Sequence, residues 1–218
     1  MTTASLIDCL RRIDTCAVSD ALDRLGLPNA VTGIGPRSVR QRIAGRVRTV
    51  KLEAANGRTA KHHLCTTAIE ASDAGDVIVI EQKSGIDAAG WGGILSIGAK
   101  TKGVSGVIVE GPARDIDEAT ELGFPVYARS VTARTARGRI IEVATGQPVT
   151  IGEVTVADGD YVLADGSAVA FNPAAQLERV VTEAEKIAAR EGLMAKAARD
   201  GKPMSQVMGA DYEQMLKA

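Results

Sequence analysis

Aromatic side chains are scarce in this sequence: two phenylalanines, three tyrosines and a single tryptophan, Trp91, among 218 residues. Base-stacking platforms of the kind that grip single-stranded nucleic acid therefore have little material. An excess of charge of either sign is also missing, with 26 lysines and arginines against 27 acidic residues. Such a balance gives no field to concentrate phosphate backbones or anionic lipid, so nucleic acid is not expected as a partner. The three cysteines, Cys9, Cys16 and Cys65, form no CxxC pair and leave an odd count. That argues against a disulfide framework or a structural zinc site and fits a reduced cytoplasm. No uninterrupted apolar run approaches the ~20 residues of a membrane helix, and Met1 to Leu10 contains Asp8 and no basic segment followed by an apolar one. The expectation is a soluble, cytoplasmic protein that is not exported.

What is present is aliphatic. Apolar residues make up 45% of the chain, mostly small and branched, enough to bury a sizeable core. Leu22 and Leu25 lie three apart before Gly26 and predict a short helix after Thr15 to Asp20. Arg46 to Leu52 alternates at period two, as a half-exposed strand does. Thr59 to Ala71 is expected to be helical. Asp76-Val-Ile-Val-Ile-Glu81 and Gly106-Val-Ile-Val-Glu110 are runs without alternation, the pattern of strands buried on both faces of a parallel sheet. With a helix over Gly92 to Lys102 between them they form a right-handed βαβ unit. Short strands follow at Val126 to Arg129, Arg139 to Val143, Val149 to Val156, Tyr161 to Ala164 and Ala168 to Phe171, separated by turns such as Gly146 to Pro148 and Ala157 to Asp160. Pro173 opens a helical tail whose apolar face is Leu177, Val180, Val181, Ala184 and Ile187. Gly201-Lys-Pro203 interrupts it before a last helix, Met204 to Leu216. The organisation expected is an α/β domain over residues 1–175 and a helical extension over 176–218 that packs on its own or a neighbouring subunit.

In an open parallel sheet, ligands bind beyond the carboxyl ends of the strands. The two buried strands feed the loops Gln82 to Trp91 and Gly111-Pro-Ala-Arg-Asp115, which must meet at one edge. Gly92 and Gly93 open a helix whose bare N–H groups suit an anion. Arg114 can clamp an oxyanion, and Asp115 offers a hard oxygen to Mg²⁺ or Mn²⁺. The plainer alternative is a solvated Arg-Asp pair or helix cap, and a glycine pair that merely permits close packing. His62 and His63, adjacent on the expected helix, point to different sides and are read as structural. Cys65 is read as a core residue and Trp91 as a pocket wall or loop anchor. Arg134, Arg137 and Arg139 either meet a distal carboxylate or form a solvated loop, and Asp158 and Asp160 frame a turn.

Beyond these features the chain resembles the family of the ribonuclease E activity regulator A and the class II 4-hydroxy-4-methyl-2-oxoglutarate aldolases. The resemblance lies in Val18 to Leu22, Gly45 to Val50, Ala74 to Ile80, Trp91 to Leu95, Gly103 to Asp115 and Gly159 to Asp165, spread over most of residues 15–175. It implies a swivelling-type α/β/β/α sandwich assembled into homotrimers or dimers of trimers, with sites between subunits. It also implies a lyase, an aldolase or oxaloacetate decarboxylase, acting on a pyruvyl-containing 2-oxo acid through a metal-stabilised enolate. By the same resemblance Asp115 holds Mg²⁺ or Mn²⁺, Arg114 steadies the enolate, and the amides of Gly93, Ile94 and Leu95 receive the substrate carboxylate. Glu191, or failing it Glu185, reaches the metal waters from the adjacent subunit. One position departs from the pattern: the aldolases carry a water-binding aspartate 22 positions before the metal aspartate, and here that position is Gly93. The other branch of the family implies a different class of function, a non-catalytic regulator that binds a protein such as a ribonuclease. No glycine-rich strand-to-helix turn suits a methyl donor, so the methyltransferase label attached to some members is set aside.

Overall fold

The computed structural model describes residues 2–60 and 62–209. Helices α1 (Thr3–Arg12) and α2 (Thr15–Arg24) each begin on a side-chain cap, Thr2 accepting from the Ser5 amide and Asp14 from that of Ala17. There follow β1 (Gly35–Pro36), β2 (Ile43–Ala54), α3 (Thr66–Ala71), β3 (Val77–Gln82), α4 (Gly93–Thr101), β4 (Gly106–Ala113), α5 (Ile116–Leu122) and β5 (Val126–Val131). Then come β6 (Ile140–Thr145), β7 (Val149–Ile151), β8 (Val154–Val156), β9 (Tyr161–Ala164), β10 (Val169–Asn172), α6 (Leu177–Arg199) and α7 (Met204–Val207).

The main sheet runs β1-β5-β4-β3-β2-β9-β10, with β6 also pairing with β2. Strands β2 to β5 are parallel, in the registers Val47 to Val77, Val77 to Gly106 and Val107 to Val126. At twelve residues β2 is long enough to serve two partners in turn: Ile43 to Arg46 pairs with β9, and Val47 to Leu52 with β3.

Three apolar clusters define the layers. Ile78, Ile80, Val107 and Val109 face α3, α4 and α5 in one cluster with Leu95, Ala99 and Ala119. Their neighbours Val77, Val79 and Ile108 point the other way, into a second cluster with Val162, Val169 and Phe171 of β9 and β10. Side chains alternate across a strand, so an unbroken branched run is what a strand wedged between two cores needs. The third cluster lies beyond β9 and β10, where Leu163 and Ala170 meet α1, α2 and α6. The result is helix, sheet, sheet, helix, the α/β/β/α sandwich expected. The apolar face of α6, Leu177 to Ile187, lies in that last layer against its own chain, and Arg24 of α2 pairs with Glu183.

The structure departs from the sequence reading in several elements. Only Thr66–Ala71 of the expected Thr59 to Ala71 helix forms. Cys65 sits at φ 67° with its amide donated to Glu142 Oε2 at 2.5 Å, so the helical path is closed before Thr66. The segment Val149 to Val156 is not one strand but the hairpin β7-β8, turned at Gly152 with φ 58°. Helices α1 and α5 have no counterpart in the sequence reading. Of the expected Met204 to Leu216 helix, Met204–Val207 is helical and residues 210–216 lie outside the described residues.

Close approach explains one glycine in β2. A Cβ on Gly45 would overlap the Gly75 carbonyl oxygen and lie 3.2 Å from Val77 Cγ2. Because backbone cannot yield as a side chain does, Gly45→Ala should destabilise the fold by about 1–3 kcal/mol. Thermal unfolding checks this: a drop of several degrees is expected, and an unchanged Tm contradicts the packing.

Just ahead of β3, the buried Asp76 carboxylate receives Arg48 Nε at 2.8 Å, Arg46 Nε at 3.2 Å and the Asp73 amide at 3.0 Å. Burial pushes its pKa up, but these bonds, Arg46 first, outweigh burial and hold it below the ordinary carboxylate value. A carboxylate with a lowered folded pKa stabilises the fold above its unfolded pKa, about 4, and loses that contribution as pH falls through the folded value. Asp76→Asn should therefore reduce stability by about 1–3 kcal/mol at neutral pH. Denaturant titrations from pH 7 down to pH 3 should show the gap between the two proteins closing on the acid side.

Candidate functional site

The site is built where β4 runs on past a bulge. Its register with β5 shifts between Val109 and Pro112, then resumes at Pro112 to Ser130 and Ala113 to Val131. A proline lacks the N–H for a regular ladder and is tolerated at such an irregularity. Beyond the bulge, Gly90 N–H donates to Pro112 O at 2.9 Å, Arg114 N–H to Trp91 O at 3.0 Å, and Trp91 bridges Ala113 in parallel. The loop after β3 and the loop after β4 are thus bonded edge to edge, as the strand-end rule anticipates.

Trp91 fixes the start of α4. Its ring is 1% exposed, stacks on Phe124 at 6.2 Å between centroids, and donates from Nε1 to Ser96 Oγ at 2.9 Å. It is both anchor and pocket wall. The helical ladder of α4 begins with Ser96 N–H to Gly92 O at 3.1 Å, so the amides of Gly93, Ile94 and Leu95 precede it.

Asp115 occupies the residue before α5 with φ 56°, ψ 44°, a left-handed conformation that is uncommon outside glycine and recurs at functional sites. Its side chain turns away from capping its own helix. Oδ2 instead accepts the Gly93 amide at 2.9 Å and lies 3.2 Å from Arg114 Nε. Arg114, Asp115 and the glycine pair therefore form one connected group. The Gly93 amide is engaged by Asp115, which leaves Ile94 and Leu95 as the amides at the helix opening. A Cβ on Gly92 would stand 2.8 Å from Asp115 Oδ2 and 3.4 Å from Arg114 Cγ, so a side chain there would push the carboxylate from its place.

A depression of about 100 Å³ covers this group, lined by Trp91, Gly92, Ile94 and Leu95 together with His63, Thr135 and Ala136. A larger cavity of about 490 Å³ adjoins it through His63, Leu64, Arg114, Thr135 and Ala136, and adds Arg58, Arg137 and Glu142. Sequence reasoning missed His63 because it set the residue on a helix that does not form. His63 Nδ1 lies 3.1 Å from the Leu64 carbonyl, so in a neutral ring Nδ1 carries the proton and Nε2 is the acceptor. Of the three arginines in the basic stretch, Arg137 lines the larger cavity, Arg134 pairs with Asp87 at 3.3 Å, and Arg139 donates to Thr135 O at 3.2 Å.

Other candidates lie apart from this group within the chain. The strand-end carboxylates Glu81 and Glu110 hold the β7-β8 hairpin, accepting from the Thr150 amide at 2.6 Å and the Gly152 amide at 3.0 Å. Asp158 accepts the Thr49 amide at 2.9 Å, and Asp160 that of Ala174 at 2.9 Å. Burial, and then the Glu142 charge, push the Cys65 thiol well above its ordinary pKa, which suits a core residue and not a nucleophile. Glu191 lies on α6, where burial and then Asp14 and Asp20 raise its pKa, and α6 contributes no residue to the depression over Asp115. Glu185, likewise on α6, lies beside Cys9 and raises that thiol's pKa. Among the described residues no three His, Cys, Asp or Glu side chains cluster as a metal site, and no helix is long and apolar enough to cross a membrane.

The same fold occurs in known proteins. An uncharacterized protein from Pseudomonas syringae pv. tomato superposes with a TM-score of 0.85 at 27% identity, over 95% of this chain and 98% of that one. RraAS2 of Streptomyces coelicolor, described as an unusual member of the RNase ES inhibitor RraA family, gives 0.79 at 25% identity over 88% and 96%. In sequence, a Halalkalibacterium halodurans protein with the provisional name 4-hydroxy-4-methyl-2-oxoglutarate aldolase is 31% identical over 194 residues, 87% of each chain. Protein DlpA of Legionella pneumophila is 26% identical over 205 residues, 94% of this chain, which spans only 33% of that protein's length. The RraA-like family model, described as Aldolase/RraA, matches residues 15–170, and the chain belongs to that family.

Proposed function

We propose that the protein is a divalent-metal-dependent lyase acting on a small pyruvyl-containing 2-oxo acid, by aldol cleavage or by decarboxylation of the oxaloacetate type. The observation that carries this reading is the left-handed Asp115, whose carboxylate is held by the Gly93 amide and Arg114 at the opening of α4. A non-glycine residue in that conformation costs about 1–3 kcal/mol, and the expense is intelligible if Asp115 must present its carboxylate to a ligand.

The donor set fits a hard cation. Asp115 offers carboxylate oxygen, both of its contacts fall on Oδ2, and no cluster of three ligating side chains stands nearby among the described residues. Mg²⁺ and Mn²⁺ tolerate such a site because they keep several waters, whereas a structural zinc would want four protein ligands. Bound at Asp115, the cation would supply Lewis-acid polarisation of the keto oxygen.

The chain's own groups supply the rest. The amides of Ile94 and Leu95, at the positive end of α4, suit the 2-oxo acid's carboxylate. Arg114 steadies the negative charge that develops on the substrate oxygen when the carbon–carbon bond breaks. The depression over them has room for little more than a pyruvyl group, so the remainder of the substrate extends into the larger cavity. Arg58 and Arg137 there favour a second carboxylate. Glu191 of a neighbouring copy completes the site in this reading, within a homotrimer or a dimer of trimers.

Likeness to the S. coelicolor inhibitor-family protein favours a second reading, a regulator that binds a ribonuclease through its outer surface. Turnover separates the two. With Mn²⁺, purified protein is expected to cleave oxaloacetate or a 4-hydroxy-2-oxo acid, and Asp115→Ala or chelation to abolish it. Loss of Arg114 as Arg114→Lys should lower kcat by about 10²- to 10³-fold. Activity indifferent to Asp115 and to chelation overturns the lyase reading, and a stoichiometric ribonuclease complex without turnover on any keto acid favours the regulator. Gly92→Ala, which displaces the Asp115 carboxylate, should raise the Mn²⁺ concentration needed for half-maximal activity by about tenfold or more. An unchanged requirement would show that Asp115 Oδ2 does not need its observed place.

A further inference from the structure

Gly93 looks like a missing carboxylate in the sequence, yet the space beside it is not empty. A Cβ built on Gly93 would overlap Glu118 Oε2 and stand 3.3 Å from Glu118 Cδ and 3.2 Å from Asp115 Cβ. A side chain at 93 would have to displace the exposed end of Glu118. Glu118 is the third residue of α5, three positions after Asp115. A glutamate at that point of a helix ordinarily folds back on its own N-terminus or serves the dipole from solvent. Here its carboxylate lies across the opening of a different helix, α4, in the volume that a side chain at position 93 would take. Gly93 and Glu118, 25 positions apart in the chain, are one feature in space.

Two carboxylates thus flank the α4 opening. Asp115 is fixed by an amide and a guanidinium. Glu118 arrives on a longer side chain, with Gly93 clearing its path. Both sit where helix N-termini favour negative charge.

We propose that Glu118 is a second acidic group of the site, holding waters of the divalent cation on Asp115 from the place a residue at 93 would otherwise occupy. The inference rests on the reading of Asp115 as a cation ligand and goes beyond it by naming the group that orients the water shell. It also removes the apparent defect at Gly93: the carboxylate is present and is donated by α5. Asp117, its neighbour in the first turn of α5, serves the dipole equally and supplies the control.

The test is Mn²⁺ binding to the full-length protein, measured by electron paramagnetic resonance and by calorimetry with Mn²⁺ alone. Glu118→Gln should weaken binding by about tenfold or more, while Asp117→Asn leaves it unchanged. Gly93→Asp by itself must push the Glu118 carboxylate out of its place and should bind Mn²⁺ less tightly than the wild type. In Gly93→Asp/Glu118→Ala the space is vacated, and affinity should recover to well above that of Glu118→Ala. Circular dichroism and Tm establish that each variant is folded, and recovery in the double variant cannot arise from a merely structural role. Wild-type affinity in Glu118→Gln, with binding lost in Asp115→Ala, overturns the role of Glu118 and leaves the cation site standing. A double variant no better than Glu118→Ala overturns the spatial equivalence. Failure of the wild-type protein to bind Mn²⁺, or binding unaffected by Asp115→Ala, overturns the cation site and the role of Glu118 with it.

Discussion

The backbone bonds between β4 beyond its bulge and the chain at Gly90 and Trp91 are what the site depends on. Without them the loops after β3 and β4 would be separate surface segments, and Arg114 and Asp115 would have no fixed relation to the opening of α4. With them, Arg114 donates its amide to Trp91 O, Asp115 is one residue further on, and its carboxylate meets the Gly93 amide. The bulge at Pro112 turns a strand end into a joint between two loops.

That joint is rigid because of what lies beneath it. Strands β3 and β4 are buried on both faces, each successive side chain serving the opposite core. Trp91 closes the top of one core and is pinned through both its ring and its N–H. Loops on so fixed a base can be short and still hold a carboxylate in a strained conformation, since the surrounding packing over-determines it. Small residues matter in the same place for the opposite reason: Gly92 and Gly93 act by the volume they leave to Asp115 and Glu118.

Much of this was legible in the sequence. The branched runs at 77–80 and 107–109 announce doubly covered strands, and the rule that ligands gather past strand ends leads to Arg114 and Asp115. The segment at 59–65 was not legible, since nothing local shows that Glu142, 77 residues away from Cys65, takes the amide a helix would need. His63 was lost with it. The hairpin at Gly152 hides inside a string of β-formers, where one glycine reads equally as a bulge. Glu118 was invisible for a deeper reason: a glycine in a sequence states an absence, and only three-dimensional packing says what fills it.

The solitary tryptophan has a practical consequence. Trp91 is buried directly before the helix opening and bonded to Ser96, one turn into α4. With no other indole in the chain, ultraviolet emission excited at the red edge comes from the floor of the site alone. The molecule carries its own unlabelled optical gauge of that opening, readable in the native sequence without a single substitution.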